Sequence, residues 1–298
     1  MIIPNKLSIG DKVGLVTPGG AMREGQLEIM TATLEKLGLE VFAHPSLFLE
    51  NDYFAGAAQQ RAEALNELFA DDSIKAIFCI RGGFGCAEVA NYLDYDVIRV
   101  NPKLFVGMSD ITFLQNAIYK KTGNVSVAGP VVLHFMRDEK FALEDLNKKL
   151  FEAKYNFNLK NTKSVVCGEA EGVLLGGNMM TLTTMLGTQF LPEDKNIILF
   201  IEEVKAFRYA LDRMLCHMKN AGLIDRVVGV IVGDNSYHDV DSYNISFEEF
   251  MLKTFEKPIP ICSGAEFGHN DRHEIFFVGA KVKLKVSQQE NIITYQEI

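Results

Sequence analysis

No apolar run in this chain outlasts a β-strand, and the runs alternate with apolar residues at helical spacing. Lys12–Thr17 reads as a strand, Pro18-Gly19-Gly20 as a loop, and Leu27, Met30, Leu34 and Leu37 recur at helical intervals until Gly38 stops them. A strand at Leu39–Ala43, a helix across Ala57–Ala70, a strand at Ala76–Ile80, a helix near Cys86–Leu93, a strand at Leu104–Gly107 and a helix over Ile111–Thr122 follow. Such alternation lays helices over the faces of a parallel sheet, so the first half is expected to be α/β.

A length of 298 residues suggests two domains. Between Arg137 and Lys163 the chain turns polar and rich in Lys, Asn and Glu, as a segment between two cores should. The expected division is an N-terminal domain over 1–140, a linker over 141–165 and a C-terminal domain over 166–298. The last mixes strands (Val173–Leu175, Ile197–Ile201, Val227–Val232, Glu274–Val278) with helices (Met179–Leu186, Tyr209–Ala221, Phe247–Phe255). It closes with Lys281–Val286 and Ile292–Tyr295, an antiparallel hairpin with one wet face, and so reads as mixed α/β rich in β-structure.

Thirty basic residues against thirty-nine acidic ones give a net charge of −9, which argues against a polyanion-binding surface because each phosphate contact needs a cation. The longest apolar runs fall far short of the roughly 18–20 residues of a membrane span. Met1–Asp11 carries charges and lacks a signal-peptide core. A cytoplasmic protein with no nucleic-acid or membrane partner is expected. Cys79, Cys86, Cys167, Cys216 and Cys262 are odd in number, widely spaced and without a C-x-x-C pair, and read as reduced thiols buried as small hydrophobes.

Chemistry concentrates at strand ends. In Leu104-Phe105-Val106-Gly107-Met108-Ser109-Asp110-Ile111 an apolar strand runs through Gly into Ser and directly into a helix, like a nucleophile elbow, although Ile111 stands where the second Gly of G-x-S-x-G would be. On these residues alone, the reading in which Ser109 or Asp110 merely caps the next helix is the favoured one. Ile80-Arg81-Gly82-Gly83-Phe84-Gly85 follows another strand. A Gly82 or Gly83 amide there could donate to an oxyanion, or the loop could be a plain turn or cradle a phosphate, although neither G-x-G-x-x-G nor a P-loop Lys is present.

A serine nucleophile needs an oriented base. Glu202, ending the Ile197–Ile201 strand, and His269, in Phe267-Gly268-His269, are candidates, each also readable as an ordinary structural or surface residue. His269 and His273 are four apart with Glu274 following, but Gly268, Asn270 and Asp271 make a turn rather than the helix a zinc H-E-x-x-H motif requires. Asp234 and His238 are further possible ligands that loop polarity explains as well. Gly176-Gly177-Asn178 suits close backbone packing or an Asn directed into a cleft.

Together these stretches resemble the LD-carboxypeptidase family of serine peptidases, which includes the muramoyl-tetrapeptide carboxypeptidases and the microcin C self-immunity peptidases. The landmarks are Phe54-Ala55-Gly56 with Gln60-Arg61, Arg81-Gly82-Gly83-Phe84-Gly85, Gly107-Met108-Ser109-Asp110, Gly129-Pro130, Gly176-Gly177-Asn178, Ile201-Glu202-Glu203, Asp212-Arg213-Met214-Leu215 and Phe267-Gly268-His269, spread over nearly the whole chain. The resemblance implies a Ser109–His269–Glu202 triad at a cleft between the two domains, with the backbone N–H groups of Gly83 and Asp110 as oxyanion donors. Arg81, Gly82, Gly177 and Asn178 are substrate-cleft candidates.

The implied reaction is hydrolysis of the L,D-amide that releases terminal D-alanine from a cytoplasmic murein tetrapeptide, with no metal or cofactor, by a protein that commonly forms homodimers. Met108 stands where the family often has an aromatic residue or His, Glu203 where Asp is frequent, and Ala206 where an acid is common. The Gly-Gly-Asn form resembles the murein-recycling branch. Cleavage of a microcin-type peptidyl-nucleotide, acyl transfer, and a non-catalytic nucleotide- or sugar-binding module are the alternatives.

Overall fold

The computed structural model describes residues 1–153, 156–238 and 245–296. The chain forms two compact units: Met1–Lys154 with Asp271–Gly279, and Tyr155–Asn270 with Ala280–Ile298. The architecture is mixed α/β, as the alternating pattern predicts.

The first unit holds a six-stranded sheet in the order Phe276–Val278, Ser126–Ala128, Leu104–Gly107, Ile74–Cys79, Lys12–Val16, Glu40–Ala43. All neighbours are parallel except Phe276–Val278, which runs antiparallel along Ser126–Ala128. These strands are apolar and buried: Val13, Ala76, Ile77, Phe78, Phe105 and Val106 are fully excluded from solvent, as a sheet covered on both faces demands. The chain passes from Lys12–Val16 outward to Glu40–Ala43 and then returns to Ile74–Cys79 on the other side. This reversal opens a crevice at the carboxyl ends of Lys12–Val16 and Ile74–Cys79, where doubly wound sheets take their ligands.

The second unit is built on an eight-stranded sheet, ordered Asn156–Asn158, Asn291–Tyr295, Lys281–Val286, Gly168–Asn178, Ile197–Glu202, Val227–Val232, Ile261–Ser263, Lys163–Val166. The central strands from Gly168–Asn178 to Ile261–Ser263 are parallel, and the flanking ones antiparallel. The expected hairpin is present, Val282 facing Tyr295 and Val286 facing Asn291. Among the described residues no helix is long and apolar enough to cross a membrane.

Several expectations need correction. The segment read as a linker over 141–165 is largely structured: a helix spans Val132–Leu146 and continues into a π-helical turn over Asn147–Phe151, with strands at Asn156–Asn158 and Lys163–Val166 beyond. Its polarity conceals buried charge. Lys149, only 2% exposed, donates to the Ile275 carbonyl at 2.9 Å and lies 3.2 Å from Asp145 and 3.6 Å from Glu274. Asp145 in turn accepts the Ile275 N–H at 2.7 Å. These bonds hold residues 271–279, expected in the C-terminal domain, in the first unit, where Phe276–Val278 is the edge strand.

The helix expected near Cys86–Leu93 ends at Val89, and a second short helix not expected there, Tyr95–Val100, follows it, capped by the Asp94 carboxylate. Cys79, Cys86 and Cys262 are buried, and burial pushes the Cys262 thiol up to about 12. Cys167 and Cys216, expected to be buried, are exposed.

Candidate active site

In the first unit the strand Leu104–Gly107 turns through Met108 and Ser109 into the helix Ile111–Thr122. Ser109 adopts φ 66°, a left-handed conformation costing a non-glycine residue roughly 1–2 kcal/mol. A non-glycine residue held there calls for a surrounding structure that over-determines it. Gln115 helps supply that: its Nε2 donates to the Gly107 and Val127 carbonyls at 2.9 and 2.6 Å, tying helix to strand ends. The Asp110 carboxylate does not cap its own helix. Instead it accepts the Cys86 N–H at 2.7 Å, joining the elbow to the neighbouring helix start.

The glycine loop packs directly on this turn. A Cβ on Gly82 would stand 2.9 Å from Ser109 Cβ and 3.1 Å from the Met108 carbonyl oxygen, so only glycine fits. Gly83 has φ 94°. The Gly82 carbonyl accepts the Gly20 N–H at 3.1 Å, linking the loops after the two strands that flank the crevice. Arg61, 1% exposed, braces them from beneath, donating to the carbonyls of Pro18 (2.6 Å), Gly85 (3.1 Å) and Gly56 (3.2 Å). Burial holds its guanidinium pKa below the usual value, partly offset by Glu88 and Asp110. The Phe54-to-Arg61 landmark is thus scaffold for the glycine loop.

In the second unit Glu202 ends its strand with a side chain 2% exposed. Its Oε2 lies 2.8 Å from His269 Nδ1, and its Oε1 accepts from Asn178 Nδ2 at 3.0 Å. Asn178 faces Glu202 in parallel register at the end of its own strand. Its Oδ1 also accepts the Thr181 N–H at 3.0 Å and the Thr181 hydroxyl at 3.1 Å, capping the helix Met179–Thr184. Gly176 lets the two strands approach, since a Cβ there would strike the Phe200 carbonyl. Gly177, a cleft candidate, is buried in the sheet opposite Ile201. Gly268, at φ 119°, passes so close that a Cβ would stand 3.0 Å from Glu202 Oε2.

Burial disfavours a charged His269. The hydrogen bond and charge of Glu202, reinforced by Glu203 and Asp234, outweigh it, and the imidazole pKa lies above its ordinary 6.5. Burial, with the nearby Glu202 charge, raises the Glu203 and Asp234 carboxyls, although Glu203 accepts the Met180 N–H at 2.7 Å.

The structure therefore groups Ser109, Asp110, Gly82, Gly83 and Arg81 in the first unit, and Glu202, His269 and Asn178 in the second. His273 lies in the first unit, buried, its ring 5.1 Å from that of His134. No cluster of three or more His, Cys, Asp or Glu suited to a metal occurs among the described residues. The side chain of His238 lies outside them. Sequence reasoning missed Tyr53, Gln115 and Thr181, and gave Glu203 and Asp234 no part beside His269. Only the pair Asn178 and Thr181 carried a signal, an Asn at a strand-to-helix junction with a hydroxyl three residues on.

A strained serine at a strand-to-helix turn beside glycine amides, in a chain that also holds a carboxylate-bound imidazole, defines the serine-hydrolase class. Residues 13–129 match the LD-carboxypeptidase N-terminal domain and residues 171–284 the LD-carboxypeptidase C-terminal domain. A Bacillus subtilis (strain 168) protein named "Probable murein peptide carboxypeptidase" is 33% identical, the match covering 97% of this chain and 93% of the relative. The microcin C7 self-immunity protein MccF of Escherichia coli is 25% identical over 97% and 95% of the two chains. The crystal structure of muramoyltetrapeptide carboxypeptidase from Oxalobacter formigenes superposes with a TM-score of 0.85 at 25% identity, covering 96% of this chain and 99% of the other. The chain belongs to the LD-carboxypeptidase family and is a serine-type carboxypeptidase.

Proposed function

We propose that the protein removes the terminal D-alanine from murein tetrapeptide by hydrolysing its L,D-amide, in the cytoplasm and as a homodimer. Ser109 is the nucleophile, His269 the general base and Glu202 the carboxylate that fixes the imidazole. The observation that carries this reading is the 2.8 Å contact between the buried Glu202 Oε2 and His269 Nδ1, which engages Nδ1 and leaves Nε2 as the nitrogen able to take a hydroxyl proton.

Ser109 Oγ attacks the amide carbonyl carbon as His269 Nε2 takes the hydroxyl proton. The oxyanion is received by the N–H groups of Gly83 and Asp110. The tetrahedral intermediate expels the D-alanine amine, which takes the proton from His269. Water, activated by the same imidazole, then releases the tripeptide from the acyl-enzyme.

Cleavage of a peptidyl-nucleotide amide is the second reading, favoured by the similarity to the microcin self-immunity protein. Incubation with murein tripeptide, tetrapeptide, pentapeptide and a peptidyl-nucleotide in parallel separates the two. D-alanine and tripeptide released from the tetrapeptide alone are expected. Nucleotide release with an intact tetrapeptide overturns the proposal in favour of the second reading. Nucleotide-induced stabilisation with no hydrolysis points to a binding module.

The pH profile is a further test. The base must be neutral to accept a proton, and the His269 pKa is raised. The acid limb of kcat/KM is therefore expected above pH 6.5, with activity rising as pH rises through it. An acid limb below that value contradicts the assignment of His269 as base.

A further inference from the structure

We infer that Arg81 forms the subsite for the substrate's free terminal carboxylate and so makes the enzyme a reader of chain ends; this rests on the carboxypeptidase reading above. Arg81 follows the strand Ile74–Cys79 at the crevice where the sheet reverses direction. Its Nη1 donates to the Ala21 carbonyl at 2.8 Å and its Nη2 to the Tyr53 hydroxyl at 3.3 Å, and the guanidinium carbon stands 5.6 Å from the centre of the Tyr53 ring. These partners are all neutral, and no described carboxylate lies within ion-pair distance.

Arg61, on the same scaffold, has Glu88 at 3.4 Å. Partly buried cations ordinarily have a counter-ion. Arg81 instead has its fork held by neutral oxygens, and among the described residues no carboxylate compensates its charge, which makes it a pre-organised receptor for a planar anion. Tyr53 is itself clamped, its ring stacked on Phe84 at 4.2 Å.

Position supports the assignment. The Tyr53 hydroxyl lies against Gly83, where a Cβ would collide with it, and Gly82 packs on Ser109. Arg81, Tyr53, the oxyanion-donor candidate Gly83 and the nucleophile candidate are therefore contiguous. In a C-terminal residue the carboxylate carbon stands two bonds beyond the scissile nitrogen, roughly 4 Å from the attacked carbonyl carbon. An acyl carbon over Ser109 thus brings the terminal carboxylate into the neighbourhood of the residue-81 guanidinium, whereas an internal residue presents a neutral amide there.

The test compares tetrapeptide ending in D-alanine with the same peptide ending in D-alaninamide. The wild-type kcat/KM ratio of acid to amide is expected to be about 10²-fold, falling toward unity in Arg81→Gln and to an intermediate value in Arg81→Lys, which keeps the charge but loses the fork. An unchanged ratio in Arg81→Gln, even with lower activity on both peptides, overturns the inference and leaves Arg81 a structural residue.

A binding arm separates this from failure of the function itself. Calorimetric titration of Ser109→Ala protein, with and without Arg81→Gln, should show acid-over-amide preference only where Arg81 is present. That preference in a protein without wild-type turnover would sink the hydrolase reading while upholding the subsite. Equal affinity for acid and amide would sink the subsite. If Arg81→Gln fails to fold, Arg81→Lys is read alone, and an unaltered ratio is again the overturning result.

Discussion

Ser109→Gly should lose at least about 10³-fold in D-alanine release and yet melt no lower than the wild type. The loss follows from removing the attacking oxygen, after which only the oxyanion donors and binding contribute. Retained stability follows from backbone geometry. At φ 66° Ser109 stands where a Cβ is unfavourable, and glycine removes a strain of roughly 1–2 kcal/mol at an unfolded-state entropy cost of about 0.5–1 kcal/mol. Ser109→Ala keeps the Cβ and should lose the same activity without the relief. Calorimetric melting alongside a D-alanine assay checks both. Hydrolysis surviving in either variant would remove the covalent mechanism, and a strongly destabilised glycine variant would mean the strain account is wrong.

Glu202→Gln is expected to cost up to about 10⁴-fold in kcat although it changes almost no volume. The reason lies in Asn178. Its Oδ1 is committed to the Thr181 N–H and hydroxyl, so its Nδ2 must point at Glu202 Oε1. In the glutamine variant that donor selects the carbonyl end for itself and leaves the amide NH₂ facing His269 Nδ1. The imidazole must then accept at Nδ1 and carry its proton on Nε2, the wrong tautomer for taking one from a hydroxyl. Adding Asn178→Ala frees the amide to rotate, so the double variant should recover part of the loss. A tautomer-sensitive nitrogen NMR shift of His269 measures this directly. Near-normal turnover in Glu202→Gln, or an unchanged tautomer, would exclude Glu202 from the orienting role.

The elbow was legible before the structure because its requirements are local. A buried strand, a glycine at its end and a serine entering a helix can be read from eleven consecutive residues, Leu104 to Leu114. The glycine loop at 82–85 was legible for the same reason, and Glu202 stood out as an acid ending an apolar run. His269 was harder. Its loop has no periodicity, and the residues alone left it a candidate also readable as a structural histidine until the resemblance to a family favoured it.

The segment 141–165 was misread because polarity usually marks solvent exposure. Here Lys149 and Asp145 are charges inside a core, made tolerable by Glu274 and the Ile275 backbone more than a hundred residues away. The same pairing draws residues 271–279 out of the domain to which their place in the chain assigns them.

Alternation of strand and helix, the glycine-rich loop after a buried strand, and the elbow that runs from strand through Ser109 into a helix were therefore determined by the sequence alone, since each depends on neighbours along the chain. Only the tertiary structure decided that Asn178 orients Glu202, that Tyr53 holds Arg81, and that no carboxylate among the described residues pairs with Arg81. Those facts concern which polar groups meet across long stretches of chain. Hydrogen bonds between distant residues leave no periodic trace, because their geometry exists only once the sheets have formed.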